Sequence, residues 1–186
     1  MVLTASSTRE VERIHRRLAG LTLTDTVVAL TSLSRDPFFW HWQVQPLLQE
    51  ELKSRDVYVA RTIGTQRDSA VLQLFVWPPG ASTAIHDHAS WGALRAFVGT
   101  LEEERYYRLD NGRQPDVARL RKAWTRQWKC PDGVSTFLPY EDGIHRVSNP
   151  TDQVVISAHI YGPRLHLFDG RDYDPLRDYV CDRFEA

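Results

Sequence analysis

Polar and apolar positions alternate in two different rhythms along the chain, and the change comes near Asp56. Before it, Ser7 and Glu10 have the form of a capping box, and Val11, Ile14 and Leu18 recur at helical spacing as far as Gly20. A second short helix is predicted from Thr24 or Asp25 to Leu33. A third, rich in aromatic residues, is predicted after Asp36-Pro37, with Pro46 shortening or kinking it. Beyond Asp56 the chain breaks into short β-branched and aromatic runs separated by Gly, Pro, Asn and Asp, the rhythm of an all-β sandwich or barrel. Predicted strands are Val57–Ile63, Ala70–Trp77, Ala84–His88, Gly92–Val98, Glu102–Leu109, Arg126–Lys129, Val134–Leu138, Ile144–Ser148 and Val154–Tyr161. The chain is therefore read as one domain, with a helical segment (1–55), a β-barrel (56–163) and a tail (164–186) that packs back on the barrel.

Composition narrows the functional classes. The 186 residues carry 23 Lys+Arg against 24 Asp+Glu, a net charge of −1, so there is no broad basic field to attract nucleic acid or anionic lipid. No stretch has the length of a membrane span, and the first residues lack the pattern of a secretion signal. Cytoplasmic localisation, no nucleic-acid or membrane partner and a monomeric state are expected. Cys130 and Cys181 are too few for a disulfide scaffold, and neither has a nearby His to mark a catalytic thiolate.

His86-Asp87-His88 carries the first chemistry. In a strand, residues two apart share a face, so both imidazoles converge while Asp87 points away. Two histidines on one strand face make half of a transition-metal site, suited to Fe, Zn, Cu or Ni. A third ligand must come from elsewhere, with His145 the first candidate and His159 the next. His15 and His41, on predicted helices, are read as ordinary exposed or core residues, and His166 as a residue that could line the pocket. Ser157, His159 and Tyr161 also alternate on one strand face, so that hydroxyl, imidazole and phenol can hydrogen-bond in series beside the metal.

The spacing Gly80, His86, His88, Gly92, Gly99 resembles the first cupin motif, G-x5-H-x-H-x3-E-x6-G, with glycine at position 92 in place of the glutamate. Gly133, Pro139, His145 and Asn149 echo the second motif, with one extra residue before His145 and no glycine at Glu141. The resemblance implies an all-β cupin, a double-sheet jelly-roll barrel with a metal inside. Without the glutamate, three neutral histidines leave the metal's charge uncompensated, which favours an anionic, chelating substrate.

Within the cupins, Ile85-His86-Asp87-His88, Gly143-Ile144-His145-Arg146-Val147 and Ile156-Ser157-Ala158-His159-Ile160-Tyr161 resemble the cysteine dioxygenase, or thiol dioxygenase, family. The resemblance implies Fe(2+) held by His86, His88 and His145, with Ser157, His159 and Tyr161 as a hydrogen-bond relay. The implied reaction joins O2 to a small thiol substrate to give a sulfinic acid. In cysteine dioxygenases an arginine following a tyrosine reads the substrate carboxylate. Tyr58 and Arg61 match, but three apart rather than two, so a bulge would be needed to put them on one face. Arg164, Arg95 and Arg171 are alternative clamps. Ala93 stands where animal enzymes carry the cysteine that crosslinks to the relay tyrosine. Trp91-Gly92 is instead similar to 3-mercaptopropionate dioxygenases, and Trp91 is a candidate to shape the pocket. L-cysteine and 3-mercaptopropionate both stay open as substrates, as do a cupin dioxygenase or isomerase acting on carbon and a non-catalytic sensing cupin.

Overall fold

The computed structural model describes residues 5–64, 69–130, 133–163 and 169–183. Helix α1 covers Ala5–Leu18, so Ser7 lies inside it rather than at its cap. Helix α2, Leu23–Ser34, starts one to two residues before the predicted position, because Thr22 is its N-cap and forms a reciprocal capping box with Asp25. Asp36 caps α3, Pro37–Phe39, accepting bonds from the backbone N–H groups of Phe38 and Phe39. The chain then widens into a π-turn, Trp40–Val44, and tightens into a 3-10 turn, Gln45–Leu48. Pro46 has no N–H to continue an α-helical ladder, so the kink expected there takes this form.

Eleven strands follow among the described residues: β1 Tyr58–Ile63, β2 Val71–Trp77, β3 Ile85–His86, β4 Gly92–Val98, β5 Thr100–Arg108, β6 Leu120–Lys129, β7 Ser135–Phe137, β8 His145–Ser148, β9 Val155–Tyr161, β10 Gly170–Asp174 and β11 Tyr179–Arg183. They form two antiparallel sheets, one in the order β1-β2-β9-β4-β7 and the other β11-β10-β3-β8-β5-β6. This is the double-sheet jelly roll of a cupin, as the resemblance implied.

Two strand expectations need correction. β3 is two residues long rather than five, although the chain stays extended beyond it, with Asp87 N bonded to Arg171 O and Ala89 N to Asp169 O. β6 is ten residues rather than four; its exposed, charged positions hid it, as suits a sheet edge. The described part of the tail, expected to pack back on the barrel, adds two strands to its second sheet. β10 and β11 form a hairpin, and β10 pairs with β3 through Asp172↔His86 and Tyr173↔Ile85.

The first sheet is buried on both faces by two different layers. Along β9, Ile156, Ala158 and Ile160 turn outward and join Leu72, Leu74 and Val76 of β2 in a core with Ile14, Leu18, Leu30, Leu33 and Phe39 of the helices. Each such apolar side chain stabilises the fold by roughly 1.5–3 kcal/mol when fully buried. The intervening residues, Ser157, His159 and Tyr161 with Phe75 and Trp77, face the second sheet. Polar residues on a strand buried on both faces therefore lie between the sheets, where the site is.

Candidate metal centre

The three sequence-predicted ligands come together. His86 on β3 and His145 on β8 are direct cross-strand partners, and His88 follows two residues after His86. His88 Nε2 lies 3.1 Å from His86 Nε2 and 3.1 Å from His145 Nε2. Among the described residues these form a buried group that could hold a metal ion. Asp87 points the other way, accepting bonds from the Arg171 backbone and guanidinium and from the Tyr173 hydroxyl. That anchors the C-terminal hairpin to the ligand-bearing segment.

The outer contacts of the ring nitrogens fix what the inner ones can do. His86 Nδ1 is 3.0 Å from the carbonyl of Ala84, and His145 Nδ1 is 2.8 Å from Glu103 Oε1. Both partners only accept, so both Nδ1 atoms carry the proton and both Nε2 atoms present a lone pair inward. His88 Nε2 can donate to only one of the two. At least one of the two contacts is left without a proton between its nitrogens, and a cation shared by all three nitrogens satisfies it. Separations of 3.1 Å fit nitrogens lying about 2.0–2.1 Å from a common centre. Burial drives the imidazoles further toward the neutral, ligating form: His86 is pushed down to about 4, with the charge of Arg183 adding to the effect. His88 and His145 are held well below the ordinary imidazole range by burial and by the neighbouring imidazoles.

Glu103, on β5, is fully buried and was not singled out from the sequence. Its carboxylate accepts from His145, from Arg105 Nε at 2.8 Å, from Trp128 Nε1 at 2.9 Å and from Ser135 Oγ at 2.6 Å. The available signal was parity: Leu101 and Glu103 share a strand face, so a carboxylate recurs where a core residue is expected. Phe137 fills the space that the missing cupin glutamate would need. A Cβ built on Gly92 would lie 2.2 Å from Phe137 Cζ, and the Phe137 ring stacks on His88 with centroids 4.7 Å apart.

Opposite the imidazoles the polar ladder is continuous. Trp77 Nε1 donates to Ser157 Oγ at 2.8 Å, Ser157 Oγ lies 2.8 Å from His159 Nε2, and His159 Nδ1 lies 3.0 Å from the Tyr161 hydroxyl. An indole N–H can only donate, and among the described residues His159 Nε2 is the acceptor within reach of the Ser157 hydroxyl. The series therefore runs from Trp77 through Ser157 and His159 to Tyr161, leaving the phenolic proton available to the cavity. His159 stays neutral, pushed down to about 3 by burial. Burial raises Tyr161 above the ordinary phenol range, so it remains protonated.

His86, His88 and His145 with Trp77, His159 and Tyr161 line a cavity of about 300 Å³, with Val59, Gln73, Phe75, Thr83 and Val147 completing its walls and Asp169 and Arg183 its charged residues. A larger groove of about 690 Å³ lies on the β5–β6 side, and meets the site through Arg105, Trp128 and Ser135, the partners of Glu103.

The expected carboxylate clamp is elsewhere. The register of β1 against β2 does slip between Val59 and Arg61, the bulge that Tyr58 and Arg61 needed to share a face. That face is the outer one: Tyr58 pairs with Val76 and Arg61 with Leu74, both in the core beneath the helices. Arg61 instead pairs with Glu50, Nη2 to Oε1 at 2.5 Å. Trp91 also packs against the helical core, its indole against Gly162, and is not among the cavity residues. Arg95 sits opposite Ala158 on the same outer face, and Arg171 is committed to Asp87 and Glu141. Arg164, His166 and the side chain of His15 lie outside the described residues. His41 rests edge-on against Trp42, away from the site. Both cysteines are free, and no helix is long and apolar enough to cross a membrane.

Several solved structures are similar to this chain. A Thermus thermophilus protein is 14% identical, covers 66% of this chain and 96% of its own, and has a TM-score of 0.46. A cupin superfamily protein of Desulfitobacterium hafniense is 14% identical over 63% of this chain and 88% of its own, with a TM-score of 0.43. The Cupin_2 domain of an XRE family transcriptional regulator from Enterobacter cloacae is 17% identical over 58% of this chain and 98% of its own, with a TM-score of 0.39. The family description "Cysteine dioxygenase type I" matches residues 41–174, a span that holds the three histidines and the whole Ser157–His159–Tyr161 ladder, and the chain belongs to that family.

Proposed function

We propose that the protein is an iron-dependent thiol dioxygenase that converts a small carboxylated thiol, L-cysteine or 3-mercaptopropionate, to its sulfinic acid. The observation that carries this reading is the convergence of three neutral imidazoles across one cavity from a phenol held by a hydrogen-bonded ladder, in a chain of this family. His86, His88 and His145 would hold the iron. When bound, ferrous iron supplies the redox chemistry through which O2 reacts with a thiolate.

The remaining steps belong to the chain. Neutral ligands leave the centre's positive charge intact, which favours the deprotonated thiol. Tyr161, kept protonated by burial, offers a hydrogen-bond donor at the cavity, and Ser157 and His159 hold its orientation. Phe75 and Trp77 flank His159, with Phe75 4.4 Å from it between ring centroids, and keep bulk water from the ladder. The overall change, RS⁻ + O2 → RSO2⁻, takes four electrons from sulfur and needs no reductant.

The test is O2 consumption by iron-loaded protein with L-cysteine, 3-mercaptopropionate, cysteamine and mercaptosuccinate in parallel, with products read by mass. Uptake with a gain of two oxygen atoms on one thiol is the expected result. Iron-loaded protein that consumes no O2 with any of them would return the site to a carbon substrate or a sensing role.

A further inference from the structure

With Arg61 turned outward, the cavity takes its positive charge from a residue that the sequence motifs do not touch. Arg183, on β11, lines it beside Asp169. Its guanidinium is held from three directions: Nη1 donates to Asp172 Oδ1 at 2.8 Å, Nη2 to the Asp87 carbonyl at 3.0 Å, and Nε lies 3.4 Å from Asp169 Oδ2. The Asp87 carbonyl belongs to the peptide that joins Asp87 to His88, so the guanidinium sits one peptide from a candidate ligand. Five N–H groups are present and these contacts use three at most, leaving donors for a further acceptor. The side chain is thus positioned before any ligand arrives, which lowers the ordering cost of binding.

We propose that Arg183, rather than Arg61, binds the carboxylate of the substrate, and that Asp169 beside it accepts the ammonium of an amino thiol. This assignment rests on the thiol dioxygenase reading of the site. A planar guanidinium matches a carboxylate bidentately. The adjoining carboxylate provides the complementary charge, so the pair distinguishes an amino acid thiol from a simple thiol acid. The β10–β11 hairpin, which Asp87 and Arg171 lock to β3, therefore supplies part of the binding site as well as a sheet edge.

The experiment measures anaerobic binding by calorimetry, together with KM and kcat, for L-cysteine, 3-mercaptopropionate and cysteamine. The proteins are the wild type and the Arg183→Ala, Arg183→Lys, Asp169→Asn and Arg61→Ala variants, each with its iron content determined. Arg183→Ala should weaken both carboxylated thiols by about tenfold to a hundredfold while leaving cysteamine unchanged, and Arg183→Lys should fall between. Asp169→Asn should weaken L-cysteine and cysteamine but not 3-mercaptopropionate, and Arg61→Ala should change none. Equal weakening of all three thiols by Arg183→Ala would make the residue structural and overturn the assignment. So would a carboxylate-selective loss in Arg61→Ala with Arg183→Lys unaffected, the comparison that decides if Arg183→Ala does not fold. Wild-type protein that binds the carboxylated thiols through Arg183 but forms no sulfinate would overturn the reaction and keep the binding assignment. Failure to bind any of them would overturn both.

Discussion

His145 donates its Nδ1 proton to Glu103 Oε1 across 2.8 Å, in a part of the core where both residues are buried. This bond sets the tautomer of one candidate ligand and ties it to Arg105, Trp128 and Ser135, which donate to the same carboxylate. Glu103→Gln keeps the shape but weakens the orienting bond, and metal affinity should fall by about tenfold to a hundredfold. Glu103→Ala strips the acceptor from buried His145 and Trp128 and from part-buried Arg105, and should cost on the order of 3 kcal/mol of stability. Metal titration and thermal melts separate the two effects, and unchanged metal affinity in Glu103→Gln would remove Glu103 from the site.

His86→Ala, His88→Ala and His145→Ala should each abolish iron retention and turnover, since two neutral ligands hold ferrous iron poorly. Iron analysis after desalting is the check. A variant that keeps one iron per chain would show that its residue is not a ligand.

The buried histidines also make the metal-free protein acid-sensitive. Folding depresses His86 to about 4 and His159 to about 3, whereas both regain an ordinary value near 6.5 when unfolded. Between those values the unfolded chain binds protons that the folded one does not. Stability is therefore unaffected above pH 6.5 and falls as the pH drops below it, by up to about 1.4 kcal/mol per pH unit for each histidine. Denaturant midpoints from pH 7.5 to 4.5 should show this slope, and bound metal should oppose it. A flat profile in the metal-free protein would contradict the depressed values.

Tyr161→Phe should retain iron and lower kcat by roughly a hundredfold, the scale of a lost proton-handling group. Ser157→Ala should act in the same direction but less, because it frees the His159 tautomer without removing the phenol. Equal kcat in Tyr161→Phe and wild type would make the ladder structural.

Gly92→Ala should destabilise the protein by about 1–3 kcal/mol through overpacking, because the new methyl collides with the Phe137 ring. Phe137→Ala in the same chain should relieve the collision. Melting temperatures of the two single variants and the double variant measure this coupling.

Local periodicity was enough to place α2, most of the strands and the two strand-borne polar sets, since residues two apart on a strand share a face wherever that strand lies. That is why His86 with His88, and Ser157 with His159 and Tyr161, were legible as groups before any fold was known. Periodicity says nothing about which face turns inward. The bulge between Val59 and Arg61 did unite Tyr58 and Arg61 on one face, yet helix packing made that face the outer one. Glu103 and Arg183 reach the site because β5 and β11 join the same sheet as β3 and β8, pairings between segments far apart in the chain. The sequence by itself determined the donor types and their alternation. Only the tertiary structure decided which cation faces the cavity and which carboxylate orients His145, because both depend on long-range strand order and on which surface the helices cover.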